Sequence, residues 1–152
     1  MVKIICVFFA IYLITNLNYT RTYYDNGQLR SEGWILNKKK TNYWKFYYSK
    51  GGMKAKGHFK DGIKAKYWYY YDHDGNKARE GNYKNGLREG WWKYYKNDTI
   101  IDIQFKQDKR NALSIFRVNG KAVKAEYYKD DRTKKVWHTF EKFRKEYPQI
   151  NE

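Results

Sequence analysis

Large and polar side chains alternate through most of the chain, and this alternation predicts short β-strands. Ala55, Gly57 and Phe59 are separated by lysines and a histidine, which is the period of two that a half-buried strand requires. Asp61-Gly62 follows this stretch, and Asn85-Gly86 follows a similar one. Both dipeptides tolerate the positive φ angles of a type I′ turn. We therefore expect each stretch to turn directly into a second strand as a tight hairpin.

The pattern repeats every 24 residues, so that one hairpin unit follows another. The sequence GHFKDG at residues 57–62 returns as GNYKNG at residues 81–86, and each copy leads into paired aromatic residues. Units of this length bury their apolar side chains only when they stack. The sequence therefore predicts an all-β fold, an elongated single-layer antiparallel meander of about five stacked hairpins. The residues that define the repeat are Gly33, Gly57, Gly81, Gly62, Gly86, Trp44, Trp68, Trp92 and, in a divergent last copy, Trp137.

Strand parity divides the side chains of the array between two faces. The repeat tryptophans share parity with Phe46, Tyr70 and Tyr94. Together with Phe59 of the first strand of its unit, they form an aromatic ladder that is expected to be the core. The other face is rich in tyrosine and lysine, which is typical either of a solvated surface or of a basic platform for an anionic partner. A bulge near Tyr70 would bring Trp68 and Tyr71 onto one face. The candidate partner surface comprises Lys45, Lys54, Lys56, Lys60, Tyr67, Tyr69 and Lys93.

An apolar run occupies residues 4–14 near the N-terminus. It is shorter than the roughly 20 residues of a transmembrane helix and has the length of a signal-peptide core. Residues 1–18 are therefore expected to be helical and to act as a signal peptide or a short membrane anchor, the alternative being a buried element of the fold. The first interpretation places the protein outside the cytoplasm (periplasmic, cell-surface or secreted) or on a membrane, and the alternative in the cytoplasm.

The alternation breaks down near the C-terminus, where Phe140, Phe143 and Tyr147 recur at helical spacing before Pro148. This pattern predicts a short amphipathic helix over residues 138–147 that caps the last hairpin. The predicted organisation is thus the N-terminal segment, a repeat array at residues 19–140, and a C-terminal helix and tail at residues 141–152.

Composition adds a strong positive charge to this architecture. The chain has 32 lysines and arginines against 16 acidic residues, for a formal charge of +16, and 20% of its residues are aromatic. The aromatic content is typical of folded rather than disordered chains. The charge favours acidic partners such as anionic lipid, acidic proteins or nucleic acid. Nucleic acid is the least expected of these, because export would separate the protein from it.

The repeat columns resemble the variant MORN repeat of bacterial proteins. The resemblance rests on the pattern Y-x-x-x-G-x-x-x-x-x-G-x-[YF]-x-[ND]-G-x-x-x-x-x-W-x-x-Y, as it stands at residues 47–71 and 71–95. It implies hairpins stacked into an elongated sheet and a role in interaction or membrane association, and some members of the family are labelled antitoxin components. Lys38 stands where the pattern has a turn glycine, and the fourth unit departs throughout. Strand pairing is expected to be less regular at those places.

The chain offers no recognisable catalytic chemistry. His58, His73 and His138 fall in different units and in different roles, so a shared metal is not expected. The acidic residues Asp25 and Asp61 stand where turns favour aspartate. We expect no catalytic, cofactor or metal site and no small-molecule substrate. The expected function is a non-enzymatic interaction module for an unidentified protein or an anionic membrane surface, with an antitoxin-like role as an alternative.

Overall fold

Eleven antiparallel strands form one open sheet in the computed structural model, which describes residues 16–148. The strands pair strictly in chain order, from β1 at one edge to β11 at the other. This confirms the predicted antiparallel meander of hairpins. The elements are β1 (Leu17–Tyr23), β2 (Leu29–Leu36), β3 (Lys39–Tyr47), β4 (Met53–Lys60), β5 (Ile63–Tyr71), β6 (Lys77–Lys84), β7 (Leu87–Lys96), β8 (Thr99–Lys106), β9 (Lys109–Val118), β10 (Lys121–Lys129), β11 (Arg132–Trp137) and α1 (Phe140–Glu146).

The tight turns have the backbone that the sequence predicts. Asp61 and Gly62 have φ angles of 53° and 84°, as both central residues of a type I′ turn require. The turns that lack glycine have the same sign of φ, with 48° and 64° at Asn37-Lys38 and 51° and 66° at Gln107-Asp108. The departures from the repeat pattern therefore leave the meander intact, and β8 and β9 pair on both sides.

A bulge precedes the tryptophan in each second strand, and the sequence pattern did not predict it. Ala65 lies opposite His58 and Trp68 lies opposite Gly57, so Lys66 and Tyr67 have no partners on β4. Lys66 has a φ of 58°. The indole N–H of Trp68 donates to the carbonyls of His58 and Ala65 at 3.1 and 3.3 Å, so it satisfies an acceptor on both strands at the bulge.

Trp44, Trp68 and Trp92 each lie flat over the glycine of the preceding strand, whereas Trp137 of the divergent last copy lies across from Ala125. A Cβ atom on Gly57 would lie 2.3 Å from Cδ2 of Trp68, far inside van der Waals contact. Trp44, Trp68 and Trp92 are 1%, 1% and 0% exposed. A single-layer sheet can therefore bury its tryptophans against its own backbone, because the glycines of the preceding strands have no side chains to keep the indoles away from it.

The sheet has two distinct faces, which we call the tryptophan face and the opposite face. Tyr70 stacks on Trp68 with ring centroids 5.9 Å apart, whereas the ring centroid of Tyr71 lies 5.6 Å from the ammonium of Lys56 on the opposite face. The register between β5 and β6 does shift between Tyr70 and Tyr71. The extra residue is Ala78 on β6, however, so the shift does not bring Tyr71 beside Trp68.

Helix α1 covers the last strands on the opposite face. Trp137 lies across from Ala125, which lies across from Ile115, and Phe140 and Phe143 of the helix pack on these three residues. The hydroxyl of Thr139 caps the helix by accepting from the N–H of Lys142 at 3.4 Å. The predicted C-terminal helix is therefore confirmed with narrower bounds.

The first strand begins at Leu17, so the last two residues of the predicted N-terminal segment belong to the sheet. The helix predicted for the apolar run lies outside the described residues. Within residues 16–148, no helix is long and apolar enough to cross a membrane.

Candidate binding groove

A groove of about 870 Å³ crosses strands β1 to β6 on the tryptophan face. Its floor is formed by the rings of Trp44, Phe46, Phe59, Trp68 and Tyr70. Successive rings pack against one another edge-on or stacked, with centroids 5.1 to 6.2 Å apart from Phe46 to Tyr70. The groove is thus an aromatic channel that runs across the strands.

Two half-buried lysines project over this floor at equivalent positions of consecutive repeats. The ammonium of Lys40 lies 4.5 Å from the ring centroid of Trp44 and 4.9 Å from that of Phe46. The ammonium of Lys64 lies 4.5 Å from the ring centroid of Trp68 and donates to the hydroxyl of Tyr70 at 2.7 Å. Cation–π attraction therefore holds both charges over the rings.

Arginines place further positive charge beside each lysine. Burial lowers the pKa of Lys40, and the charge of Arg30 lowers it further. Burial likewise lowers the pKa of Lys64, with Arg79 as the next cause. Arg30, Arg79 and Lys54 also line the groove. Like charges that lower the pKa of their neighbours oppose the folded state at neutral pH, so the sheet alone does not account for this arrangement.

In later repeats, the cation at the position of Lys40 and Lys64 is neutralised by a carboxylate of the same chain. The backbone N–H of Gly62, the second residue of its turn, donates to the carbonyl of Lys40. The backbone N–H of Asp108, at the equivalent position of a later turn, donates to the carbonyl of Arg88. Asp108 also pairs with the Arg88 guanidinium at 2.9 Å, and Asp131 pairs with the equivalent arginine at 3.3 Å. The first two repeats have glycine where the later ones have aspartate. Lys40 and Lys64 consequently form no ion pair of the kind that this position has in the later repeats.

No acidic residue lines the groove among the residues that the structure describes. Within the same part of the chain, none of its five basic residues forms an ion pair. The groove is therefore a concentration of positive charge without direct ion pairs on an aromatic floor, with Asp108 as the nearby acid whose charge partly offsets the lowering of the pKa of Lys64 by burial. Its cations are Arg30, Lys40, Lys54, Lys64 and Arg79.

The surface predicted from strand parity is divided by the structure. Lys54 lines the groove, because the register shift between β3 and β4 leaves it without a partner between Met53 and Ala55. The expectation that it shares a face with Lys56 is therefore wrong. The ammonium of Lys56 instead lies 5.5 Å from the ring centroid of Tyr69 on the opposite face.

The other predicted residues do not converge on one charged patch. Lys45 lies 3.6 Å from Glu32 and is neutralised by it. Lys60 lies at the tip of the β4–β5 hairpin, and Lys93 is exposed on β7. Tyr67 is 40% exposed beside Tyr69. The opposite face therefore carries aromatic surface, but part of its positive charge is compensated.

Buried carboxylates supply this compensation, and the repeat pattern did not predict them. Glu32 accepts from Tyr47 at 2.8 Å and from Arg21 at 3.3 Å, and Glu80 accepts from Lys77 at 3.1 Å. The hydrogen bond from Tyr47 is the main cause that lowers the pKa of Glu32. Burial and this bond raise the pKa of Tyr47 to about 12. The available signal was the position immediately before the glycine column, which is acidic in two units.

Comparison with models of protein families and with curated proteins gives no match to this chain. Within the described part of the chain, no three His, Cys, Asp or Glu side chains are grouped so that they could hold a metal ion. The groove and its charges are therefore the features on which a functional argument can rest.

Proposed function

We propose that this chain is a non-enzymatic binding module that holds an anionic segment of a protein partner in the groove of the tryptophan face. The observation that carries the proposal is the difference between Lys40 and Lys64 on one side and Arg88 on the other. All three occupy one structural position, but of the three only Arg88 forms an ion pair with a carboxylate of its own chain. A carboxylate from a partner would fill the same role for the two lysines.

The energetics favour such a partner over the empty groove. An ammonium held over aromatic rings and beside an arginine is partly desolvated, so a charge-assisted hydrogen bond there is stronger than one in open water. The partner would also relieve the repulsion that lowers the pKa of Lys40 and Lys64. The resemblance of the repeats to variant MORN repeats supports an interaction role but does not select a partner.

Peripheral binding to an anionic membrane is the second candidate, because the chain carries a formal charge of +16 and an apolar run at residues 4–14. A planar surface would meet exposed lysines such as Lys60 and Lys93 before it reached Lys40 and Lys64, which are half-buried in the groove. A slim polypeptide reaches Lys40 and Lys64 without that restriction. Export or membrane anchoring through residues 1–18 is compatible with either candidate and remains a prediction.

The test supplies the missing carboxylate from within the chain. Gly62→Asp reproduces the arrangement of Asp108 and should pair with Lys40, since a Cβ atom at Gly62 has no neighbour closer than 3.8 Å. Gly62→Asn is the matched control, because it has the same shape and the same strain at positive φ but no charge. Binding of full-length protein to poly-L-glutamate is measured by titration calorimetry at low and high salt.

We expect the aspartate variant to bind about tenfold more weakly than the asparagine variant, since a charged hydrogen bond contributes about 1.5 kcal/mol. Binding of the parent should also weaken as salt rises. Equal affinities for the two variants would contradict the groove as the site. The membrane candidate would be favoured if the protein did not bind poly-L-glutamate and if its affinity for anionic vesicles were unchanged by Gly62→Asp.

A further inference from the structure

The groove presents two cationic positions with an aromatic surface between them. The first is formed by Lys40 and Arg30, and the second by Lys64 and Arg79. Resting on the function proposed above, we propose that the occupant is an acidic segment in the polyproline II conformation, with carboxylates three residues apart and prolines between them.

The spacing of the two positions leads to this conformation. Lys40 lies on β3 and Lys64 lies on β5, with β4 between them. Neighbouring strands are about 4.8 Å apart, so equivalent positions two strands apart repeat at about 9.6 Å. A polyproline II helix rises about 3.1 Å per residue with three residues per turn, so residues i and i+3 point the same way about 9.3 Å apart.

An extended β-strand matches the two positions less well. At about 3.3 Å per residue it also spans the distance in three steps, but residues i and i+3 then point to opposite sides. Only alternate residues of a strand share a side, and their distances of about 6.6 and 13 Å both miss the spacing of the sheet. The polyproline II helix is thus the extended conformation that places both carboxylates over the lysines.

The aromatic floor of the groove is suited to proline, just as the cations beside it are suited to carboxylates. Aromatic-lined grooves bind proline-rich segments because the helix is already extended and loses little entropy on binding. Phe46 and Phe59 lie between Trp44 and Trp68 and contact both. One hydroxyl proton is also available for a free carbonyl of such a helix, since the hydroxyl oxygens of Tyr70 and Tyr83 lie 2.9 Å apart and their shared hydrogen bond uses only one of the two protons.

Other polyanions lack this match. Double-stranded nucleic acid carries a charge about every 1.7 Å along its axis, so its charge does not single out positions about 9.6 Å apart. A bilayer is planar, whereas Lys40 and Lys64 are half-buried in the groove. Binding of nucleic acid and binding of a bilayer are both tested as alternative outcomes of the experiment.

The experiment compares three labelled peptides of equal length and charge against full-length protein by fluorescence anisotropy at low salt. The first repeats Glu-Pro-Pro, which spaces the carboxylates by three in a polyproline II helix. The second has the same composition with its glutamates in one block. The third repeats Glu-Gly-Gly, which keeps the sequence spacing but loses the preformed helix.

We expect the Glu-Pro-Pro peptide to bind at least about tenfold more tightly than either control. Gly62→Asp should remove this preference, whereas Gly62→Asn and Lys93→Gln, which lies outside the groove, should keep it. If all three peptides bind equally and Gly62→Asp abolishes their binding, the polyproline II inference is overturned and the groove remains a site for anionic segments.

Two further outcomes are decisive. If an oligonucleotide or anionic vesicles bind more tightly than any peptide, and if Gly62→Asp weakens that binding, the proposal that a peptide occupies the groove is overturned. If no peptide distinguishes Gly62→Asp from Gly62→Asn, both the inference and the proposed function fail.

Discussion

Substitution of Gly81 by alanine tests how a single-layer sheet buries its tryptophans. The φ angle of Gly81 lies outside the positive region, so alanine is accepted by the backbone there. Its Cβ atom, however, would lie 2.3 Å from Cδ2 of Trp92, a side chain that is 0% exposed. Carbon atoms attract best at about 3.5–4.0 Å, so the indole has to leave its place.

The cost follows from what the displaced indole gives up. Its N–H donates to the carbonyl of Asn82 at 3.0 Å, and a lost hydrogen bond of this kind costs about 1 kcal/mol. Overpacking against Tyr83 and Phe105, whose ring centroids lie 5.0 and 6.4 Å away, adds about 1–3 kcal/mol. We expect Gly81→Ala to lower the free energy of unfolding by about 2–4 kcal/mol.

Urea denaturation followed by circular dichroism measures this cost, with Gly75→Ala as the matched control. Gly75 has a φ of 85° and no atom within 4 Å of its virtual Cβ, so only backbone strain of about 1 kcal/mol is expected there. A second variant pair isolates the contact: on a Trp92→Leu background, Gly81→Ala should cost less than about 1 kcal/mol. A Gly81→Ala protein at least as stable as Gly75→Ala would refute the reasoning.

Three further predictions concern the turns, the repeat and the buried phenols. Gly86→Val should cost about 1–3 kcal/mol, because residue 86 has a φ of 82° and its Cβ would lie 2.9 Å from Ile63 Cγ2; an unchanged thermal melt would contradict this. Deletion of residues 47–70 removes one 24-residue unit and should leave a folded sheet by circular dichroism, whereas deletion of residues 47–58 should not; equal unfolding of both would exclude a modular stack. The pKa of Tyr47 is raised to about 12, so stability that is full below about pH 10 should fall as the pH rises toward 12. Absorbance titration of the parent should show a late phenol that is missing in Tyr47→Phe and titrates earlier in Glu32→Gln; a parent without it would contradict the burial of that hydroxyl.

Strand order and turn type could be predicted because both depend on short-range sequence. The dipeptide at residues 61–62 has the φ angles of a type I′ turn, and a turn of that type fixes which strands pair. The alternation through Ala55 and Phe59 placed both residues on the tryptophan face, where they line the groove. The short C-terminal helix followed from the spacing of Phe140 and Phe143, both of which are buried.

The bulges could not be predicted from that alternation, because they change the register without a consistent signal in the sequence. The residue at positive φ is asparagine in β3, lysine in β5 and glycine in β7, at Asn42, Lys66 and Gly90. The irregularity beside Met53 likewise moved Lys54 out of the predicted surface and into the groove. Parity alone therefore does not show that Lys54 lines the groove.

The sequence by itself determined the repeat, the hairpins and the fact that large rings recur on one face, since each depends on neighbours within about one hairpin. Only the tertiary structure decided which charges are compensated. Asp108 is 20 residues from Arg88 and binds it because adjacent hairpins bring a turn beside a strand, and the equivalent turn beside Lys40 ends in Gly62. A count of lysines along the chain cannot separate these two cases, because compensation depends on which side chains meet across the sheet.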